Sequence, residues 1–210
     1  MRRLIICLLL PLFLAACGGD SVWAPDEDVR RAAFVTGEPP SVTLYTVIGA
    51  TSGAGGHSAL MIDGHQRIMF DPAGSWYHPW VPERNDVHYG ITERMRKFYI
   101  DYHARETWDV REQKLFITME QAEALTARAE GNGAVGKMMC SNSVSALLTG
   151  VQGFEGLPRT FSPIKLANAF AKYPLALDKL HHDGDPDNNS GVLMIQQQEA
   201  RQPIPGRPNL

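Results

Sequence analysis

The sequence predicts an α+β domain, with strands joined by hairpins in its first half and helices grouped after them. Three observations carry this. Residues 42–48 (VTLYTVI) are β-branched and aromatic. Two further apolar runs, His57–Ile62 and Arg67–Phe70, flank an Asp63-Gly64 turn. The helix-start signals, Thr118 with Gln121 and Ser162-Pro163, come only after a fourth strand at Trp108–Ile117. Strands and helices do not alternate, which excludes a doubly wound sheet.

The first run reads as a buried strand, and Gly49–Gly56 after it as a Gly-rich loop. His57–Ile62 and Arg67–Phe70 then form a hairpin that Asp71-Pro72-Ala73-Gly74 closes. Residues 75–106 read as an irregular aromatic insertion containing Trp76, Tyr77, Trp80, Tyr89 and Tyr99. Thr118 and Gln121 have the spacing of a capping box, and Gly131–Gly136 ends that helix. Cys140–Thr149 is a short helix with Val144, Leu147, Leu148 and Val151 along one face. Pro163 at a first helical position starts the next, which stops before Pro174. Gly191–Gln196 is expected as a last strand.

The N-terminus has the parts of a secretory signal. Arg2 and Arg3 precede the apolar stretch Leu4–Leu14, which is too short to span a bilayer comfortably. Leu14-Ala15-Ala16-Cys17 resembles a lipobox, so residues 1–16 are expected as a leader and Cys17 as the lipid-bearing residue. Gly18 favours the outer membrane, facing the periplasm of a bacterial envelope. Several acyl chains on one residue give stable anchoring. Residues 17–40, rich in Gly, Pro and charge, are expected as a tether, 41–197 as one folded domain, and 198–210 as a disordered tail.

Losing Arg2 and Arg3 with the leader takes the net charge from −3 to −5. No basic stripe remains, which argues against a nucleic-acid partner. The densest basic run, Arg94–Lys97, reads as a solvated face. Of three cysteines, Cys7 leaves with the leader and Cys17 carries lipid, so Cys140 is a lone thiol in an oxidising compartment. It is either buried and inert or present for its chemistry.

The candidate site is Cys140, His57 and Asp71. Thiol catalysis needs a thiolate, an imidazole sharing its proton, and a polar group orienting that imidazole. His57 opens a strand just after flexible glycines, and Asp71 ends the neighbouring antiparallel strand. Cys140 stands at a helix start, where free N–H groups favour a thiolate and can stabilise an oxyanion.

His57–Ile62, Ile68–Asp71 and Cys140–Val144 together resemble the permuted branch of the NlpC-type papain-like superfamily, which includes lecithin-retinol acyltransferase-like proteins. The histidine strand precedes the cysteine helix, which is the permuted order. The resemblance implies a circularly permuted papain-like domain, an antiparallel sheet with helices packed against it. It also implies Cys140 as nucleophile, His57 as base and Asp71 as the orienting residue. The third position is often histidine or glutamate in that family, and the 75–106 insertion has no counterpart there. The expected function is a lipid-anchored periplasmic cysteine hydrolase or acyltransferase, on cell-wall peptide or a lipid acyl group, needing no cofactor. The alternative is a non-catalytic envelope lipoprotein of the same fold that binds peptidoglycan or a protein partner.

Other motifs are weaker. Gly56-His57-Ser58-Ala59-Leu60 lacks the second glycine of a serine-hydrolase elbow, and Gly49–Gly56 lacks the ending of a phosphate loop. Asp183–Asn188 alternates oxygen donors as calcium loops do, but Asn188 and Met194 replace the turn glycine and closing glutamate. An acidic surface turn is expected there, and no metal at the adjacent His181-His182 pair.

Overall fold

The computed structural model describes residues 19–202, so the expected leader 1–16, Cys17 and residues 203–210 lie outside the described residues. One antiparallel sheet runs through the domain. Its strands are β1 (Ser41–Gly49), β2 (Gly55–Asp63), β3 (Arg67–Phe70), β4 (Glu83–Arg84), β5 (Val87–Tyr89), β6 (Trp108–Phe116) and β7 (Leu177–His181). They lie in the order β4-β5-β3-β2-β1-β6-β7. The described helices are α1 (Asp26–Ala32), α2 (Glu93–His103), α3 (Met119–Glu130), α4 (Cys140–Thr149), α5 (Pro163–Phe170) and α6 (Ser190–Glu199).

Helices cover both faces. β1 sends Val42 and Leu44 to a core shared with α3, α4 and α5, and Tyr45 and Val47 to a second core with α2, α6, Trp76 and Trp80. A strand buried on both sides needs apolar residues at nearly every position, which is why 42–48 reads as one unbroken run. The helices expected after Thr118, at Cys140 and after Ser162 all form, and Thr118 and Gln121 make the reciprocal capping box.

Five expectations need correction. The 75–106 insertion is not irregular: it holds the β4–β5 hairpin, turned by Asn85 and Asp86 at φ 45° and 68°, and α2, capped by Thr92. Two consecutive left-handed residues are what a tight hairpin turn demands, and Asn-Asp is a suitable pair. Gly191–Gln196 is helical, not extended. Val192 and Glu199, two helical turns apart, are the buried residues of α6, while Leu193, Met194 and Ile195 stay exposed. A strand would have hidden alternate residues, so the docking of one face decides for helix.

Glu199 also lies inside the expected tail, yet it is buried against His78 and Arg94. Arg94–Lys97 is not simply a solvated face: Met95 enters the core, Arg94 pairs with Glu199 and Arg96 with Glu112. The described part of the expected tether is docked too. Trp23 bridges Arg84, Ala24 N–H donates to the Glu83 carbonyl at 2.9 Å, and Ala32 of α1 is buried.

Candidate active site

Strand parity brings His57 and Asp71 to one face. β2 pairs β3 with Met61 opposite Met69, and both side chains enter the second core. His57 lies four residues before Met61 and Asp71 two after Met69, so both project the same way. His57 Nε2 and Asp71 Oδ1 are 2.6 Å apart, with Asp71 buried and His57 partly buried.

Cys140 arrives from the opposite layer. β3 pairs β2 only over Leu60–Asp63, which leaves residues 57–59 without a β3 partner. The N-terminus of α4 occupies that open edge. Ser58 Oγ and Ser141 Oγ are 2.9 Å apart, and the backbone groups of Ser58 and Ser141 help hold the Cys140 thiol below its ordinary value. The thiol and the His57 ring lie close enough to shift each other's titration. Since Nε2 of that ring is held by Asp71, Nδ1 is the nitrogen left for sulfur. The structure therefore brings the three residues read from the sequence together, with His57 bonded to Asp71 and beside Cys140.

The surroundings set the charges. Burial opposes a charged imidazole, but the charge and hydrogen bond of Asp71, with a contribution from Cys140, outweigh it and hold His57 up at about 10. Burial would raise the Asp71 carboxyl, yet His57 holds it well below its ordinary value. Burial likewise raises the Cys140 thiol, and His57 with the two backbone groups more than reverses this. Cys140 is the first residue of α4, whose N-cap Met139 makes no side-chain cap bond, so the first-turn N–H groups remain for an anion. Both shifts run in the direction that favours thiolate and imidazolium over the neutral pair.

The insertion supplies what sequence reasoning missed. Tyr99 and His103, one turn apart on α2, both face this pair. Tyr99 donates its hydroxyl to Asp71 Oδ1 at 2.8 Å. The His103 ring lies nearly parallel to that of His57, 5.9 Å between centroids, and its Nδ1–H donates to the Tyr99 carbonyl at 2.9 Å. Burial lowers His103 to about 4, with His57 and Arg105 acting in the same direction, and burial lowers His88 to about 4. Of the three imidazoles around Asp71, only His57 carries charge. Asp71 Oδ2 is packed against Gly74, where any side chain would collide with it. The signal for α2 was present: Thr92 precedes Met95, Phe98, Tyr99 and Tyr102 at helical spacing.

Tyr99→Phe would keep the ring packed on Tyr45 and Trp76 and remove only the hydroxyl. Losing a hydrogen bond to a charged group, it is expected to cost about 1.5–3 kcal/mol in urea unfolding. A midpoint equal to wild type would show that this bond contributes nothing.

The remaining motifs resolve into structure. Ser58 lies within β2, buried against Ser141, not on a strand-to-helix elbow. His181 pairs with Glu112 and His182 with Asp109, so the two rings serve different carboxylates. Asp101, Asp183 and Asp185 converge closely enough for a cation, but the Arg105 guanidinium already pairs with Asp101 and Asp185. No family model matches this chain, nor does any curated protein or solved structure, so the site stands on its own geometry.

Proposed function

We propose that this chain is a lipid-anchored periplasmic cysteine hydrolase or acyltransferase, on a circularly permuted papain-like domain, acting on an amide or ester. The observation that carries the reading is the Cys140–His57–Asp71 grouping, with the thiol lowered and the imidazole raised. The Cys140 thiolate attacks the carbonyl carbon, and the oxyanion is met by first-turn N–H groups of α4. The tetrahedral intermediate collapses as His57 gives its proton to the leaving nitrogen or oxygen. A thioester on Cys140 remains. His57, now neutral, takes a proton from water or an acceptor, which attacks the thioester and restores the thiolate. Asp71 keeps the ring oriented and stabilises its charged form throughout.

Anchoring through Cys17 would place the domain where cell-wall peptide and lipid acyl groups are both within reach. The test needs no substrate. Iodoacetamide labelling of the domain, followed across pH and mapped by peptide mass, is expected to mark Cys140 with a midpoint clearly below the ~8.5 of a free thiol. Labelling that rises only above that value would defeat the mechanism and leave a non-catalytic domain of the same fold.

A further inference from the structure

The docked N-terminal segment has a geometric consequence for the site. From Gly19 the chain runs along the β4–β5 turn. Ser21 Oγ donates to Asn85 Oδ1, Asn85 N–H donates to the Val22 carbonyl at 3.0 Å, and Trp23 bridges Arg84. Gly19 itself lies so close to the Val135 backbone that any side chain there would collide with it. Val135 in turn donates its N–H to Asp86 Oδ2 at 2.7 Å. The described chain thus begins, at Gly19, against the loop that leads into Cys140. Cys17 precedes Gly19 by two residues, a reach of about 7 Å. Val135 precedes Cys140 by five, about 17 Å at most.

Both segments, the one after Gly19 and the one after Val135, expose apolar side chains. Met138, immediately before the site, is 87% exposed, and Trp23 is 64% exposed; Val22 and Met139 are also exposed. Met138 holds a left-handed backbone at φ 66°, uncommon for a long side chain, and projects its thioether chain into solvent. Tryptophan and long apolar side chains beside an acyl anchor are what a membrane interface accommodates.

We propose that this edge, formed by Val22, Trp23, Met138 and Met139, rests on the bilayer surface. Cys140, two residues from Met138, then lies close to the membrane, and its substrate is a molecule carried in or on the bilayer. The inference rests on the reading that Cys17 is lipidated and Cys140 is the nucleophile. It replaces a swinging tether with a segment docked from Gly19 onwards, two residues after Cys17.

The experiment uses the full-length, lipid-modified protein reconstituted in vesicles of phosphatidylethanolamine and phosphatidylglycerol, part of the lipid brominated. Trp23 is expected to be quenched by the bromolipid, and Trp23→Phe to lose at least half of that quenching, since Trp76 and Trp80 are buried and Trp108, at 36%, is less exposed than Trp23. A bulky polyethylene-glycol maleimide is expected to label Cys140 about tenfold more slowly in vesicles than in the soluble Cys17→Ser protein. Small iodoacetamide should distinguish the two far less. Equal quenching in wild type and Trp23→Phe, or equal maleimide rates in both settings, overturns the proposal. Wild-type protein that stays out of the vesicles overturns it through the anchor. Trp23 quenching does not depend on thiol chemistry, so an unreactive Cys140 with intact quenching would defeat the enzyme reading while leaving the membrane contact standing.

Discussion

The Asp71→Asn variant is expected to react with iodoacetamide at Cys140 about tenfold more slowly than wild type at pH 6.5, because its thiol loses the neighbouring charge that holds it down against burial. Burial of the ring is the largest single influence on His57 and lowers it; the Asp71 charge is the leading favourable cause, and only with the Asp71 hydrogen bond and Cys140 does it outweigh burial. Asparagine has no charge to give. Burial then favours neutral imidazole, and the sulfur loses the cation that favours its thiolate form. An Asn amide group can also present N–H to Nε2, which would impose the wrong tautomer. For transfer of an acyl group the same change costs as much as about 10⁴-fold where an aspartate orients a catalytic histidine. Tyr99 keeps a hydrogen-bond partner in this variant, so circular dichroism should show the fold retained. A rate within a factor of three of wild type would mean that Asp71 does not set the state of His57.

Cys140→Ala is expected to abolish both labelling and acyl transfer, and to reshape the dependence of stability on pH. In the unfolded chain His57 titrates near 6.5 and Cys140 near 9.0. Folding holds His57 up to about 10. Its contribution to stability is therefore complete below pH 6.5 and is lost as pH rises through 10. Folding holds Cys140 down, so its contribution is present above 9.0 and is lost as pH falls through the lowered folded value. In the interval between, the extra proton on His57 and the missing proton on Cys140 offset each other, and wild-type stability is nearly flat. Alanine removes one half of that balance. The variant should lose stability with rising pH above 6.5, at a slope no steeper than about 1.4 kcal/mol per unit. Urea midpoints taken from pH 6.5 to 9 would measure it. A variant as flat as wild type would exclude the ion pair.

His57 and Asp71 were legible because they sit on adjacent strands of one short hairpin, where parity and antiparallel direction suffice to bring them together. Cys140 was legible by elimination among three cysteines and by the helix that starts on it. Its arrival at the open edge of β2 was not, because nothing local to residues 57–59 or 140–143 records that β3 stops pairing at Leu60. β7 was equally silent. Leu177–His181 is polar and exposed, and becomes a strand because Asp178 meets Arg111 and His181 meets Glu112 across β6. Such pairings join residues nearly seventy apart, which single-sequence periodicity does not register.

What the sequence determined by itself is the α+β class, the first hairpin, the three central helices and the candidate site residues, since each is written in periodicity, caps or turn chemistry over a few positions. What only the tertiary structure decided is the company those residues keep. The insertion proved to be the wall that holds Asp71 through Tyr99, and the expected tether proved to be docked against the loop leading to Cys140. The physical reason is the same in both cases. Whether a polar or aromatic segment stays in solvent or packs depends on the surface it finds, and that surface is made by residues elsewhere in the chain.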